Sequence, residues 1–174
     1  MLDVYKSGKT GFQLGDNENL FDFTYVGNVA HAHLLAASAL LGTAKLSTVP
    51  LSHERVDGEA FFITNDSPIY FWDFPRMVWR AAGNQLGTEH VWVIGKETGM
   101  TLASLIEWVM WCVRKTPSLT RRQVRYSCMT RYYDISKAKK RLGYTPIVSL
   151  EDGVVRAVKW FQAEEAKDAE KKGQ

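Results

Sequence analysis

Cysteine is scarce: Cys112 and Cys128 are the two in 174 residues. That excludes a disulfide framework, offers no metal-ligand spacing and fits a reducing compartment. His31 and His33 stand two apart on a predicted helix, so they face different sides and cannot form an i,i+4 metal pair. No metal site is expected. No Gly-rich turn follows a predicted strand, so the usual cradle for a dinucleotide pyrophosphate is missing. Of the seven tyrosines, Tyr5 and Tyr133 are followed four residues later by lysine, Lys9 and Lys137, whereas Tyr25, Tyr70, Tyr126, Tyr132 and Tyr144 are not. That spacing alone does not make either pair a catalytic base. Met1-Leu2-Asp3-Val4 lacks the basic and apolar regions of a secretory signal. There is no internal repeat.

What is present reads as an ordinary soluble globule, 45% hydrophobic and 24% charged, with length for one domain and a real core. The net charge is +3, unevenly placed. Between Arg114 and Arg141 lie ten Lys/Arg and one acid, Asp134, which leaves the rest of the chain net acidic. Nucleic acid is not the expected partner. Lys137, Lys139, Lys140 and Arg141 fall on a short helix capped by Asp134 or Ser136 and ended by Gly143, and a solvated helical face explains them.

The organising stretch is Phe21–Leu41, FDFTYVGNVAHAHLLAASALL. Phe21–Val26 suits a short strand, Asn28 an N-cap, and Val29–Leu41 an Ala/Leu-rich helix. Val4–Lys9 resembles a helix end closed by Gly8, followed by a hairpin turning at Gly15-Asp16-Asn17. Gly42–Gly58 reads as an exposed connection and Ala60–Thr64 as a strand buried on both faces. Asn65-Asp66-Ser67-Pro68 is a loop at that strand's end, where ligands of open α/β folds gather. Trp72, Phe74, Met77 and Val78 follow on a helix stopping at Gly83-Asn84, and His90–Ile94 reads as another strand. Ser149 caps a closing helix whose buried stripe is Val154, Ala157, Val158 and Phe161. Ala163–Gln174 is a charged tail, a solvated and fraying helix end.

Met100–Val113, MTLASLIEWVMWCV, places Leu102, Leu105, Ile106, Val109 and Val113 on one helical face, broadened by Trp108 and Trp111. A bilayer span needs ~20 apolar residues, and this segment is shorter, with Glu107 near its middle. Two readings fit: an interfacial helix contacting an anionic leaflet through Trp108, Trp111, Arg121 and Arg122, or a buried amphipathic helix.

Three ordered stretches carry a family resemblance: DFTYVGNVAHAHLLAA, then EAFFITNDSPIYFWDF (Glu59–Phe74), then YYDISKAKKRLGYTPIVSLEDGVVRAVKWF (Tyr132–Phe161). Together they resemble the carboxyl half of extended short-chain dehydrogenases across roughly residues 8 to 162. FFITNDSPI and TPSLTR are most similar to the 3β-hydroxysteroid dehydrogenase branch, in particular its sterol-4α-carboxylate 3-dehydrogenases.

The resemblance implies an incomplete Rossmann-type sheet with a small α/β substrate lobe over residues 1–162. It implies oxidation of a sterol or steroid 3β-hydroxyl by NAD or NADP in the full-length enzyme, followed by loss of the 4-carboxylate. It further implies work at the cytoplasmic face of the endoplasmic reticulum membrane, within a sterol-synthesis enzyme complex. No cofactor is expected on this chain alone, which enters the family pattern past both the Gly-rich turn and Tyr-x-x-x-Lys and is expected to be inactive by itself.

The substrate-lobe candidates are Phe21, Tyr25, Asn65, Pro68 and Trp72. Phe21 stands where sugar-nucleotide members carry a diphosphate-binding arginine, so a lipid gains a surface there, or the ring packs in the core. Two alternatives remain: a nucleotide-sugar epimerase or dehydratase fragment, and a non-catalytic lipid-binding protein whose uncovered helices leave apolar surface exposed.

Overall fold

A parallel pair of strands opens the architecture. The computed structural model describes residues 1–85 and 87–172. In it β1 (Phe12–Leu14) runs parallel to β4 (Trp92–Ile94), with Gln13 opposite Val93. β2 (Leu20–Phe21) pairs antiparallel with β3 (Ile69–Tyr70). The helices are α1 (Leu2–Lys6), α2 (Val26–Thr43), α3 (Asp73–Ala81), α4 (Lys96–Cys112), α5 (Arg121–Ser127), α6 (Ser136–Leu142) and α7 (Leu150–Lys172). The class is mixed α/β. The chain forms two compact units: Met1–Phe21 with Ile69–Arg131, and Asp22–Pro68 with the chain from Tyr132 onward.

The hairpin expected across Gly15-Asp16-Asn17 does not form, because β1 and β2 belong to different sheets. The turn chemistry is real, with Gly15 at φ 76° and Asn17 at φ 59°. It redirects the chain instead of pairing its flanks: Trp72 N donates to Asn17 Oδ1 at 2.7 Å and fixes the turn against the start of α3. Around it this first unit packs Phe21, Phe71, Val78, Trp79, Ala103 and Val124, all less than a tenth exposed. α5 carries a capping box the sequence reading missed, in which Gln123 N donates to Thr120 Oγ1 and Thr120 N to Gln123 Oε1.

The second unit is built on α2. Its inward stripe, Asn28, Ala32, Leu35, Ala36 and Ala39, packs with Val56, Ile135, Ala138, Leu142, Tyr144, Phe61 and Ile63. α2 begins at Val26, three residues before the expected start, and Phe21–Val26 contributes only Phe21 to a strand. Tyr25 is the N-cap residue, and Asn28 lies within the first turn with its side chain turned inward.

Ala60–Thr64 is not a strand, because none of the described residues ladders with it. Side chains take its carbonyls instead: Lys137 Nζ donates to Ala60 O, and Tyr144 Oη to Thr64 O at 2.8 Å. Nor is the run buried on both faces, since Phe62 is 60% exposed; a short apolar run reads alike for a strand and for other packed segments.

Ser149 does cap α7, accepting from Asp152 N at 3.1 Å. Val154 and Val158 are buried, whereas Phe161 is half exposed beside Trp160 and leaves the predicted stripe. The tail from Ala163 continues α7 to Lys172, and its last two positions lie outside the described residues.

Candidate functional site

Asn28 is completely buried and saturated. Its Nδ2 donates to Asn65 Oδ1 at 2.9 Å and to Val148 O at 2.8 Å. Its Oδ1 accepts from Ile147 N at 3.1 Å and Val148 N at 3.0 Å. Asn65, 5% exposed, accepts from Tyr25 N at 2.9 Å and donates to Val148 O at 3.1 Å. Two amides thus fasten the start of α2, the 65–68 loop and the segment before α7 at one point. Such a fully satisfied buried network fixes a single geometry.

Tyr25 lies over α7, so that a methyl built on Gly153 would stand 2.8 Å from Tyr25 Cγ. Pro68 is exposed at the far end of the loop. Asp66, at φ 55°, donates its amide to Thr64 Oγ1 and pairs with Lys139. Lys137 and Arg141 both pair with Glu59, whose carboxyl is held low chiefly by the Lys137 bond. The basic helix face is therefore engaged more than solvated.

Close by in the same unit is Asp22. Its Oδ2 accepts from Tyr133 N at 2.8 Å, while its buried Oδ1 has no hydrogen-bond partner among the described residues. Burial pushes this carboxyl up, the Tyr133 bond opposes that, and Asp66 adds repulsion. Burial likewise raises Tyr144, again helped by Asp66. The Tyr133 ring stacks on Phe62, centroids 4.5 Å apart and planes within 12°, with Phe62 60% exposed.

Phe21 and Trp72 belong to the other unit. The Phe21 ring is 5% exposed and meets Phe71 and Tyr126 edge-on at 5.4 and 5.2 Å, with the Arg131 guanidinium 5.9 Å above it. Trp72 is half-buried, and its indole Nε1 donates to Leu14 O at 2.8 Å. Phe71 touches both rings, so these two candidates join one aromatic wall. Tyr25 and Asn65 form the second group.

Sequence reasoning did not single out Asp22, Phe62 or Tyr133, and it gave Asn28 only the role of an N-cap. The signal for Asn28 stood in the motif itself, where an amide or acid follows Val26 by two residues.

The start of α4 does not fit a dinucleotide pyrophosphate. β4 does lead through Gly95 into α4, but Glu97 occupies that helix's first turn, where a pyrophosphate would need donors and no negative charge.

A family model described as the 3-beta hydroxysteroid dehydrogenase/isomerase family matches residues 1–94, more than half of the chain. The chain belongs to this family. Among similar curated proteins, sterol-4-alpha-carboxylate 3-dehydrogenase (decarboxylating) of Schizosaccharomyces pombe is 46% identical over 94% of this chain and 45% of its own length. Its Saccharomyces cerevisiae counterpart is 46% identical over 92% of the chain and 44% of its own length. The Mus musculus protein of the same name is 34% identical over 92% of the chain and 42% of its own length. The chain therefore spans less than half the length of the curated family members it matches. Among solved structures, gox2253 superposes with a TM-score of 0.57 at 25% identity, covering 92% of this chain and 42% of that one.

Proposed function

We propose that the chain is the carboxyl, substrate-binding portion of a sterol-4α-carboxylate 3-dehydrogenase of sterol biosynthesis, inactive until an amino-terminal half supplies the NAD(P) site and the base. The observation that carries this is the collinear 46% identity to two yeast enzymes of that name, confined to about 45% of their length. The outer face of α2 supports it. Val26, Leu34 and Leu41 are 73, 70 and 67% exposed, with exposed Ala30 and Ala37 between them, an apolar stripe of four turns. Ala60–Thr64 likewise lacks a strand partner among the described residues. Both features suit a surface that the rest of an α/β sheet covers.

In this reading the half-buried Trp72, backed within its own unit by Phe71 and Phe21, offers a sterol an apolar surface. The hydride and proton transfers belong to the other half. The test is complementation. The chain, with a 3β-hydroxysterol 4α-carboxylic acid and NAD+ or NADP+, is expected to give no reduced nicotinamide. Co-expression with the amino-terminal half of the fission yeast enzyme is expected to restore turnover. Turnover by the chain alone overturns the inactivity, and restored turnover of a uridine diphosphate sugar in place of the sterol overturns the substrate.

A further inference from the structure

Arg76 and Arg80 stand four residues apart on α3, a spacing that puts both guanidinia on one face of the helix. That face lines a cavity of about 250 Å3 within the first unit. Trp79 of the same helix, Thr10 ahead of β1, and His90 and Val91 ahead of β4 line it with them.

The two arginines are held differently. Arg76 is fixed: its Nη1 donates to Asp73 Oδ1 at 3.2 Å and its Nη2 to Gln13 Oε1. Gln13 is 5% exposed and gives its own Nε2 to Gly15 O at 2.8 Å, which leaves Oε1 as the end that meets Arg76. Asp73 offsets the Arg76 charge, so Arg76 brings positioned N–H donors to the cavity more than net charge. Arg80 is the reverse. It lies exposed in the last turn of α3 and makes no hydrogen bond or ion pair among the described residues. The helix C-terminus favours a cation there, but the five donors of that guanidinium stay unused.

No Asp or Glu is among the described residues that line the cavity, and Glu89, beside His90 in sequence, is exposed and outside it. Like charges at i,i+4 repel, and an oxyanion lying between them removes the repulsion while taking the forked N–H groups. Size narrows the ligand. Pockets for drug-sized ligands run from roughly 300 to 1,000 Å3, and this one is smaller. Trp79 and Val91 give part of the wall apolar character, which suits carbon attached to the anion.

We propose that this cavity binds a compact oxyanion, a carboxylate or a phosphate, with Arg80 supplying the charge and the fixed Arg76 orienting it. The inference stands apart from the sterol reading and holds whatever the substrate.

The test titrates the 174-residue chain at low ionic strength with benzoate, whose carboxylate carries an apolar body, and with inorganic phosphate, which has none. Calorimetry is expected to show saturable binding. Tighter benzoate assigns the ligand to small organic acids, and tighter phosphate assigns it to phosphate. In nitrogen-edited proton spectra the Trp79 indole N–H is expected to shift. Those of Trp108 and Trp111, 63 and 76% exposed on the side of α4 away from the buried Gly99 and Ala103, are expected to stay. Arg80→Gln is expected to weaken binding on the order of tenfold, the loss of a charged hydrogen-bond donor. Arg122→Gln removes the same charge from an exposed position of α5 outside the cavity and is expected to change nothing. Arg121 is no such control, because its Nε donates to Glu107 Oε2 at 2.7 Å. Arg80 and Arg122 are both exposed, so an unchanged urea midpoint reports intact folding. The proposal is overturned if neither anion binds, or if Arg80→Gln binds like the parent. It is equally overturned if Arg122→Gln weakens binding as much as Arg80→Gln, a response to overall charge, or if Trp79 stays still while the exposed indoles move.

Discussion

The two units solve the same problem with different chemistry. The unit built on α2 places amides at its junction: Asn28 and Asn65 are buried, and every polar atom of Asn28 is used. In the unit containing α3, α4 and α5, rings do that work, with Phe21, Phe71 and Tyr126 meeting edge to face. Amides specify one geometry and fail sharply when a partner is lost, because the orphaned donors and acceptors stay dry. Rings contribute area and tolerate volume-conserving replacement.

The largest effect expected from breaking this contrast is at Phe21. Phe21→Ala removes a nearly buried ring and leaves a cavity, an expected loss of about 3–5 kcal/mol in urea-unfolding free energy. Phe21→Leu refills most of that space and is expected to lose much less. Asn28→Ala comes next, at about 3 kcal/mol, since two backbone amides, a carbonyl and the Asn65 oxygen lose a partner. Here the near-isostere does not rescue: Asn28→Asp keeps the acceptor and loses both donations. If Asn28→Asp unfolds at the parent's urea midpoint, the amides are incidental and the contrast collapses.

Smaller still is Gly153→Ala. Alanine favours a helix by about 1 kcal/mol over glycine. The new methyl, however, would meet three Tyr25 carbons at 2.8 to 2.9 Å. The packing cost of such an insertion is about 1–3 kcal/mol, so net destabilisation is expected. The double variant with Tyr25→Ala is expected to show the helix gain without the clash. A double-mutant cycle on urea midpoints measures the coupling, and additivity would show that Tyr25 does not rest on α7.

Local signals were the legible ones. Gly143 at φ 62° ends α6 where the sequence put the stop, Ser149 caps α7, and α3 stops before Gly83. These depend on a few neighbouring residues, which a sequence displays. The 60–64 run and the hairpin were misread because a strand is defined by its partner, and the pairing of β1 with β4 spans about 80 residues. Asn28 was given the ordinary role of its residue type, an N-cap. Its actual partners, Asn65 and Val148, lie 37 and 120 positions away, and no local pattern shows them. The α4 stripe was read correctly as a stripe. Whether it faced in or out depended on the small Gly99 and Ala103 meeting α5 on the opposite side.

The smallest predicted effect separates the units by the sign of their response to acid. In the α2 unit, Asp22 has its carboxyl raised, mainly by burial, so the folded chain keeps that proton to a higher pH than the unfolded chain does. Its contribution is fully present below the unfolded carboxylate pKa, about 4, and is lost as pH rises through the folded value. Asp22→Asn keeps an acceptor for Tyr133 N and removes the charge, so it is expected to raise the urea midpoint at pH 7 and leave it unchanged at pH 3. In the other unit, Glu107 is lowered, first by the Arg121 amide and then by its guanidinium. That contribution is present above the unfolded pKa and is lost as pH falls through the folded one. Glu107→Gln is therefore expected to lower the midpoint slightly at pH 7 and to match the parent in acid. Urea midpoints of the parent and both variants at pH 7 and pH 3 decide it. The two variants should depart from the parent in opposite directions at neutral pH and converge on it in acid; a shift of the same sign at pH 7 would mean that Asp22 is held ionised by a favourable partner and that the two units do not differ in this respect.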